Sequence, residues 1–297
     1  MKESHSSDTG LALYTRAAHK SSATIIHEYS TSFGMAASLL GKSIRPDIEN
    51  IYGLVRIADE IVDGAAAQAG LDVSAQLALL DALERETRHA VLNGFSTNVV
   101  VHSFAETARS VGIDPDLTTP FFASMRRDLD PSPFTPEQVN EYIYGSAEVI
   151  GLMCLRVFLH DTRYSPDLRV RLEHGAQRLG AAFQKINFLR DLNADWTGLG
   201  RNYFPAISPE TLTESEKYEL LDDLESDLDQ AAAVIPQLPA SCRVAIDAAH
   251  GLFAELTERI RRTPAEELLT TRISVPTAVK LRILLRARAR KHGRRHS

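Results

Sequence analysis

The chain has 297 residues, 44% apolar and 24% charged, with a net charge of −6. This is the balance of an ordinary globular protein able to bury a sizeable core, and its acidity argues against a general nucleic-acid binder. Two cysteines, Cys154 and Cys242, give neither a disulfide framework nor a thiolate metal site; with no apolar signal core in MKESHSSDTG and no run of 18 apolar residues, the expectation is a cytoplasmic protein.

Residues 1–20 are expected to be disordered. Beyond them a 3.6-residue periodicity predicts helices over 23–40, 46–63, 72–93, 97–111, 116–127, 136–159, 166–195, 213–233, 239–262 and 274–290. The breaks fall around Lys42, at Gly64, at Asn93-Gly94, and over 128–136 and 198–209. In TPEQ, Thr135 is an N-cap, Pro136 occupies the first helical position and Gln138 completes a capping box. The segment 144–159 is apolar nearly all round, so it is buried or lines an apolar cavity. Its Gly145, Ser146, Ala147 and Gly151 let a backbone or a long ligand come close. No strand alternation or repeat is found, so residues 21–285 read as one all-α domain. Residues 286–297, RARARKHGRRHS, read as a solvated basic tail; the alternative is attraction to anionic lipid head groups.

Two aspartate pairs carry the chemistry. Asp59 and Asp63 stand four apart on one predicted helix, and Asp191 and Asp195 do so on another. Neighbouring carboxylates on one helical face repel, which a fold tolerates when cations sit between them. Tyr52, Arg56, Asp59 and Asp63 fall within about 60° around their helix. Gln184, Asn187, Asp191 and Asp195 share a second face. Oxygen-only donors suit a hard ion such as Mg²⁺, whereas zinc would want His or Cys. Arg190, Lys185 and Arg201 are cations available to phosphate oxygens. His102, His160 and His174 read as surface or capping residues, and Cys154 as apolar packing.

Along almost its whole length the chain resembles the squalene/phytoene synthase family, the head-to-head prenyl diphosphate synthases. YSTSFGMAASLL (29–40) is similar to the family's Ser-x-Ser-Phe start, and IYGLVRIADEIVDG (51–64) to its first aspartate motif. YIYGSAEVIGLM (142–153) is similar to its tyrosine and Val-Gly segment. LGAAFQKINFLRDLNADW (179–196) with GRNYFP (200–205) resembles the second aspartate motif, and TRISVPTAVKLR (271–282) the basic C-terminal segment.

The resemblance implies an isoprenoid synthase fold, a single helical domain around a central apolar cavity. It implies condensation of two prenyl diphosphates through a cyclopropyl diphosphate intermediate. Matching positions put Mg²⁺, or alternatively Mn²⁺, on Asp59, Asp63, Asn187, Asp191 and Asp195. They put diphosphate contacts on Ser30, Ser32, Arg45, Tyr52, Arg56, Gln184, Arg190 and Tyr203. Such chemistry needs leaving-group charge neutralised and a dry pocket whose aromatic faces steady a carbocation. Phe33, Phe183, Phe188 and Tyr142 are candidates for those faces. Tyr142 or the released diphosphate is the candidate proton acceptor.

The small Ala37, one turn after Phe33, leaves room for a long tail. It favours C20 geranylgeranyl diphosphate and the product phytoene, made without NADPH and feeding carotenoid biosynthesis. The C15 alternative would give squalene, dehydrosqualene or hydroxysqualene, squalene requiring NADPH. A terpene cyclase or chain-elongating enzyme would carry a DDxxD-type first motif, which is absent, and a non-catalytic assembly factor would not need all four aspartates. The sequence leaves oligomeric state open and allows peripheral membrane association. Three positions depart from the family pattern. Glu148 interrupts the Val-Gly segment, pointing outward or reshaping the cavity wall. Phe253 stands where a tyrosine is common, and Trp196 marks an unusual loop between Asp195 and Arg201.

Overall fold

The computed structural model describes residues 10–199, 203–205, 207 and 211–293, and among them there is no strand. Fourteen α-helices follow in chain order among the described residues. They are α1 Gly10–Tyr29, α2 Thr31–Ala37, α3 Arg45–Val62, α4 Ala65–Gln68, α5 Val73–Asn93, α6 Val99–Val111 and α7 Pro115–Arg127. After these come α8 Pro136–Ile143, α9 Val149–Leu159, α10 Pro166–Leu199, α11 Glu214–Val234, α12 Ala240–Arg262, α13 Ala265–Leu268 and α14 Thr277–Gly293. A π-helical turn, Tyr144–Glu148, joins α8 to α9.

Local chemistry sets the ends. Asp72, Asn98 and Asp114 cap α5, α6 and α7 with their carboxylate or amide oxygens. Capping boxes at Thr135–Gln138 and Thr213–Glu216 open α8 and α11. Gly94 closes α5 at a φ of 78°, where a side chain would be strained.

Three expectations change. Residues 1–20 are not disordered throughout: α1 begins at Gly10, because Tyr14 donates to the Ser96 and Thr97 carbonyls and stacks edge-on against His102. The single helix expected over 23–40 is two, broken where extended Ser30 caps α2 by accepting from Phe33 N at 3.1 Å. His102 is buried rather than on the surface; it bonds Thr15 at 2.9 Å, and burial lowers its pKa.

The core has two principal apolar clusters. One gathers Ile51, Leu54, Phe104, Phe121, Phe122 and Met153 from α3, α6, α7 and α9. The other gathers Ile186, Leu189, Leu221, Leu224 and Ile260 from α10, α11 and α12. Each side chain as fully buried as Phe122 contributes about 2–3 kcal/mol. The run Pro136–Leu159 is long and apolar enough to cross a bilayer, but more than half of its most apolar window is buried, so it is a core element.

Small residues on that run serve backbone approach. A Cβ at Gly151 would stand 2.5 Å from the Ala176 carbonyl oxygen, and one at Gly180 would stand 2.6 Å from that of Ala147. These glycines let α9 and the π turn lie directly against α10.

Candidate active site

A cavity of about 760 Å³ opens between α2, α3, α9, α10, α11 and α12. Its longest wall is α10, where Leu172, Gly175, Leu179, Phe183, Asn187 and Arg190 face inward at three- and four-residue intervals. Over that span α10 rises about 27 Å, so the cavity is long as well as wide. The wall changes character along the helix: its start is apolar, and its end carries an amide and a guanidinium. Helix α3 repeats the gradient with Ile48, Tyr52 and Arg56. Arg272, Ser274 and Lys280 add polar groups from the C-terminal segment.

The polar end is held by paired charges. Arg56 donates to Asp59 Oδ2 at 2.8 Å, also bonds Glu60, and lies over the Tyr29 ring at 4.3 Å. Glu60 in turn accepts from Ala65 N at 2.8 Å, which fixes the turn after α3. Across the site, Asp191 accepts from Arg190 Nη2 at 2.5 Å and from Arg272 Nε at 2.7 Å. Burial opposes ionisation of Asp191, but these two arginines outweigh it and hold the carboxyl below its usual range. Burial raises the Tyr52 hydroxyl, against the opposing pull of Arg56 and a hydrogen bond with Ser30.

Of the residues singled out in the sequence, Ser30, Phe33, Ala37, Tyr52, Arg56, Asn187 and Arg190 line the cavity. Asp59 and Asp191 stand beside it, each bonded to an arginine that lines it. Asp63 is the exposed C-cap of α3, its N–H bonding the Asp59 carbonyl at 2.8 Å. The side chains of Ser32, Asp195 and Trp196, and the whole of Arg201, lie outside the described residues. Among the described residues no three His, Cys, Asp or Glu side chains form a ready-made metal centre. The oxygen donors at Asp59, Asn187 and Asp191 nevertheless suit a hard divalent ion, and guanidiniums now balance the two carboxylates.

Other candidates lie elsewhere. Arg45 is turned to the end of α2, where it donates to the Ser38 and Leu40 carbonyls at 2.6 and 3.1 Å. Its guanidinium satisfies the C-cap carbonyl of α2 and a carbonyl of the turn that follows it. Gln184 is half-buried on α10 outside the cavity wall. Lys185 is held by Asp223 and Asp227 of α11 at 2.5 and 2.6 Å rather than facing the site. Tyr142, Phe188 and Tyr203 are also off the wall. With Phe134 they form a separate aromatic cluster, in which Phe188 and Tyr203 stack at 4.0 Å. Burial and the neighbouring Asp128 carboxylate push the Tyr142 hydroxyl well above its ordinary range.

Two of the three departures from the family pattern fall on described residues. Glu148 neither points outward nor reshapes the cavity: Arg178 on α10 donates to it at 2.8 Å and to Asp227 at 3.1 Å. Phe253 stacks face to face on Phe183 at 3.6 Å, and both line the cavity. Cys154 also lines it, and burial pushes its thiol up to about 12, leaving it inert. Sequence reasoning missed Glu60 and Arg272 as individual site residues. Glu60 was signalled by its i+4 spacing from Arg56, and Arg272 by its place in the basic C-terminal segment.

Comparison with known proteins gives a consistent result. The squalene/phytoene synthase family model matches residues 26–278. A 15-cis-phytoene synthase of Paracoccus sp. is 29% identical over 275 residues, 87% of each chain. A 4,4'-diapophytoene synthase of Staphylococcus haemolyticus is 26% identical over 185 residues, 61% of this chain and 59% of that one. In structure, a dehydrosqualene synthase crystallised with a ligand superposes with a TM-score of 0.77 over 95% of this chain and 99% of that one. At 21% identity that likeness concerns the fold alone.

Proposed function

The chain belongs to the squalene/phytoene synthase family, and on that premise we propose that it condenses two prenyl diphosphates head to head through a cyclopropyl diphosphate. The substrate in this reading is C20 geranylgeranyl diphosphate and the product is phytoene, as in the Paracoccus relative's name. The observation that carries it is the graded cavity: guanidiniums at one end, then roughly 17 Å of apolar wall along α10 from Phe183 back to Leu172.

Arg56, Arg190, Arg272 and Lys280 hold the diphosphates and take up the charge that develops as the allylic C–O bond breaks. Asp59, Asp63, Asn187, Asp191 and Asp195 would hold Mg²⁺, which neutralises the leaving group when bound. The walls of Phe33, Leu155, Leu179 and Ile246 exclude water from the cation. The Phe183–Phe253 stack and the Phe33 ring on Tyr52 offer aromatic faces to it. The proton lost on cyclopropane formation goes to the released diphosphate, because the Tyr142 hydroxyl belongs to the neighbouring cluster with Asp128.

Small side chains support the longer substrate. Ala36, Ala37, Ala176, Ala231 and Ala245 line the cavity where larger groups would shorten it. The C15 reading draws on the 4,4'-diapophytoene synthase relative. The deciding experiment gives the purified protein and Mg²⁺ either farnesyl or geranylgeranyl diphosphate, with and without NADPH, and identifies extracted products by mass spectrometry. A C40 hydrocarbon formed without NADPH is expected. A C30 product would overturn the substrate assignment, and diphosphate release without coupling would overturn the reaction.

A further inference from the structure

Helix α14 has two apolar faces where its packing needs only one. Leu284 and Ala287 are 8% and 4% exposed and pack on Ala248 and Val244 of α12 and on Met35 and Leu39 from the α2 region. Roughly a third of a turn around the helix from this packed face, Leu281 and Leu285 are 51% and 64% exposed. These two leucines project within about 40° of each other. Ala278 and Ala289 continue the same strip, and both are exposed. Arg282 and Arg286 flank the strip on one side and Arg288 flanks it on the other. Arg282 and Arg286 have no ion-pair or hydrogen-bond partner among the described residues.

The charge of this end is one-sided. Residues 268–297 contain nine Lys and Arg and no Asp or Glu, leaving 24 basic against 39 acidic residues in the rest of the chain. The exposed apolar strip therefore lies within a wholly basic segment of an otherwise acidic protein. Asp247 of α12 balances Arg290 at 3.2 Å, but it faces that residue and not the strip.

We infer that the outer face of α14 is a docking surface for an anionic lipid bilayer. Leu281 and Leu285 enter the acyl boundary, while the flanking arginines reach outward to phosphate head groups along their methylene stems. A bilayer matches this surface because it offers hydrocarbon and negative charge over the same area. The helix also starts beside the cavity: Val275 and Lys280 line it, and Arg272 at its polar end is 69% exposed. Docking by α14 thus brings the cavity opening close to the lipid. This surface reading goes beyond the proposed reaction and does not depend on which prenyl diphosphate is used.

The test is flotation of the full chain with vesicles of phosphatidylcholine alone or with added phosphatidylglycerol. Binding is expected to the anionic vesicles only, and to fall as salt is raised from about 0.1 M to about 0.5 M because head-group attraction is screened. Leu281→Ser/Leu285→Ser and Arg282→Gln/Arg286→Gln change exposed residues, and each is expected to weaken binding about tenfold or more. Circular dichroism and turnover of detergent-dispersed substrate should match the parent in both variants. Equal binding to neutral vesicles, salt-independent binding, or variants that float like the parent would overturn the proposal. So would light scattering that shows a lipid-free dimer lost in the leucine variant, with no flotation, since the strip would then cover a second copy. Failure of the parent protein to form a coupled product, with its flotation intact, would count against the proposed reaction only.

Discussion

Arg272 Nε donates to Asp191 Oδ1 at 2.7 Å, tying the segment between α13 and α14 to the helix that bears the second aspartate pair. Arg272 is largely exposed and lines the cavity, while Asp191 is mostly shielded beside it. One guanidinium thus neutralises a carboxylate and stands ready to meet an incoming diphosphate. Replacing it, Arg272→Gln, is expected to lower kcat/KM about tenfold or more, with much of the loss in KM. Steady-state kinetics would check this, and an unchanged KM would remove Arg272 from substrate binding.

The carboxylates bonded to cavity arginines give a stronger test. Asp59→Ala and Asp191→Ala should each lower turnover at least about a hundredfold, the scale of losing one preorganised electrostatic group. Helical content by circular dichroism should stay at the parent level, because neither side chain belongs to the apolar core. Full activity in either variant would sink the proposed metal role.

Ala37 is 5% exposed and lines the cavity near Phe33. Ala37→Phe should fill part of that space and move substrate preference from C20 toward C15. Competition between farnesyl and geranylgeranyl diphosphate reads the ratio directly. If the variant keeps the parent's preference, chain length is set elsewhere along the wall.

The ion pair between Glu148 and Arg178 makes two stability predictions. Glu148→Ala leaves Arg178 without one buried partner and should cost about 1–3 kcal/mol in urea unfolding. The pH effect has a definite sign. Burial raises the Glu148 carboxyl, although Arg178 opposes it, so the folded state takes up the proton before an unfolded glutamate does. Stability linked to this group therefore rises as pH falls through the folded value toward the unfolded one at about 4.3. Glu148→Gln removes that contribution, so its stability should gain less than the parent's on moving from pH 7 to about pH 4.5. Parallel slopes would show that Glu148 is not the group responsible.

The all-α architecture and most helix spans were legible in the sequence, because apolar periodicity and caps such as Thr135 and Thr213 are local properties. The cavity-facing members of the two motifs were legible for the same reason: Tyr52 with Arg56, and Asn187 with Arg190, recur at helical spacing. The tertiary structure decided what depends on residues far apart in the chain. It turned Arg45 to the carbonyls of α2, drew Lys185 onto α11, and placed Tyr142 with Asp128 and Tyr203. It also paired Glu148 with Arg178 and brought Arg272 to Asp191 across 81 residues. Periodicity fixes which face of a helix a side chain occupies, but only the packing of distant helices determines what that face meets.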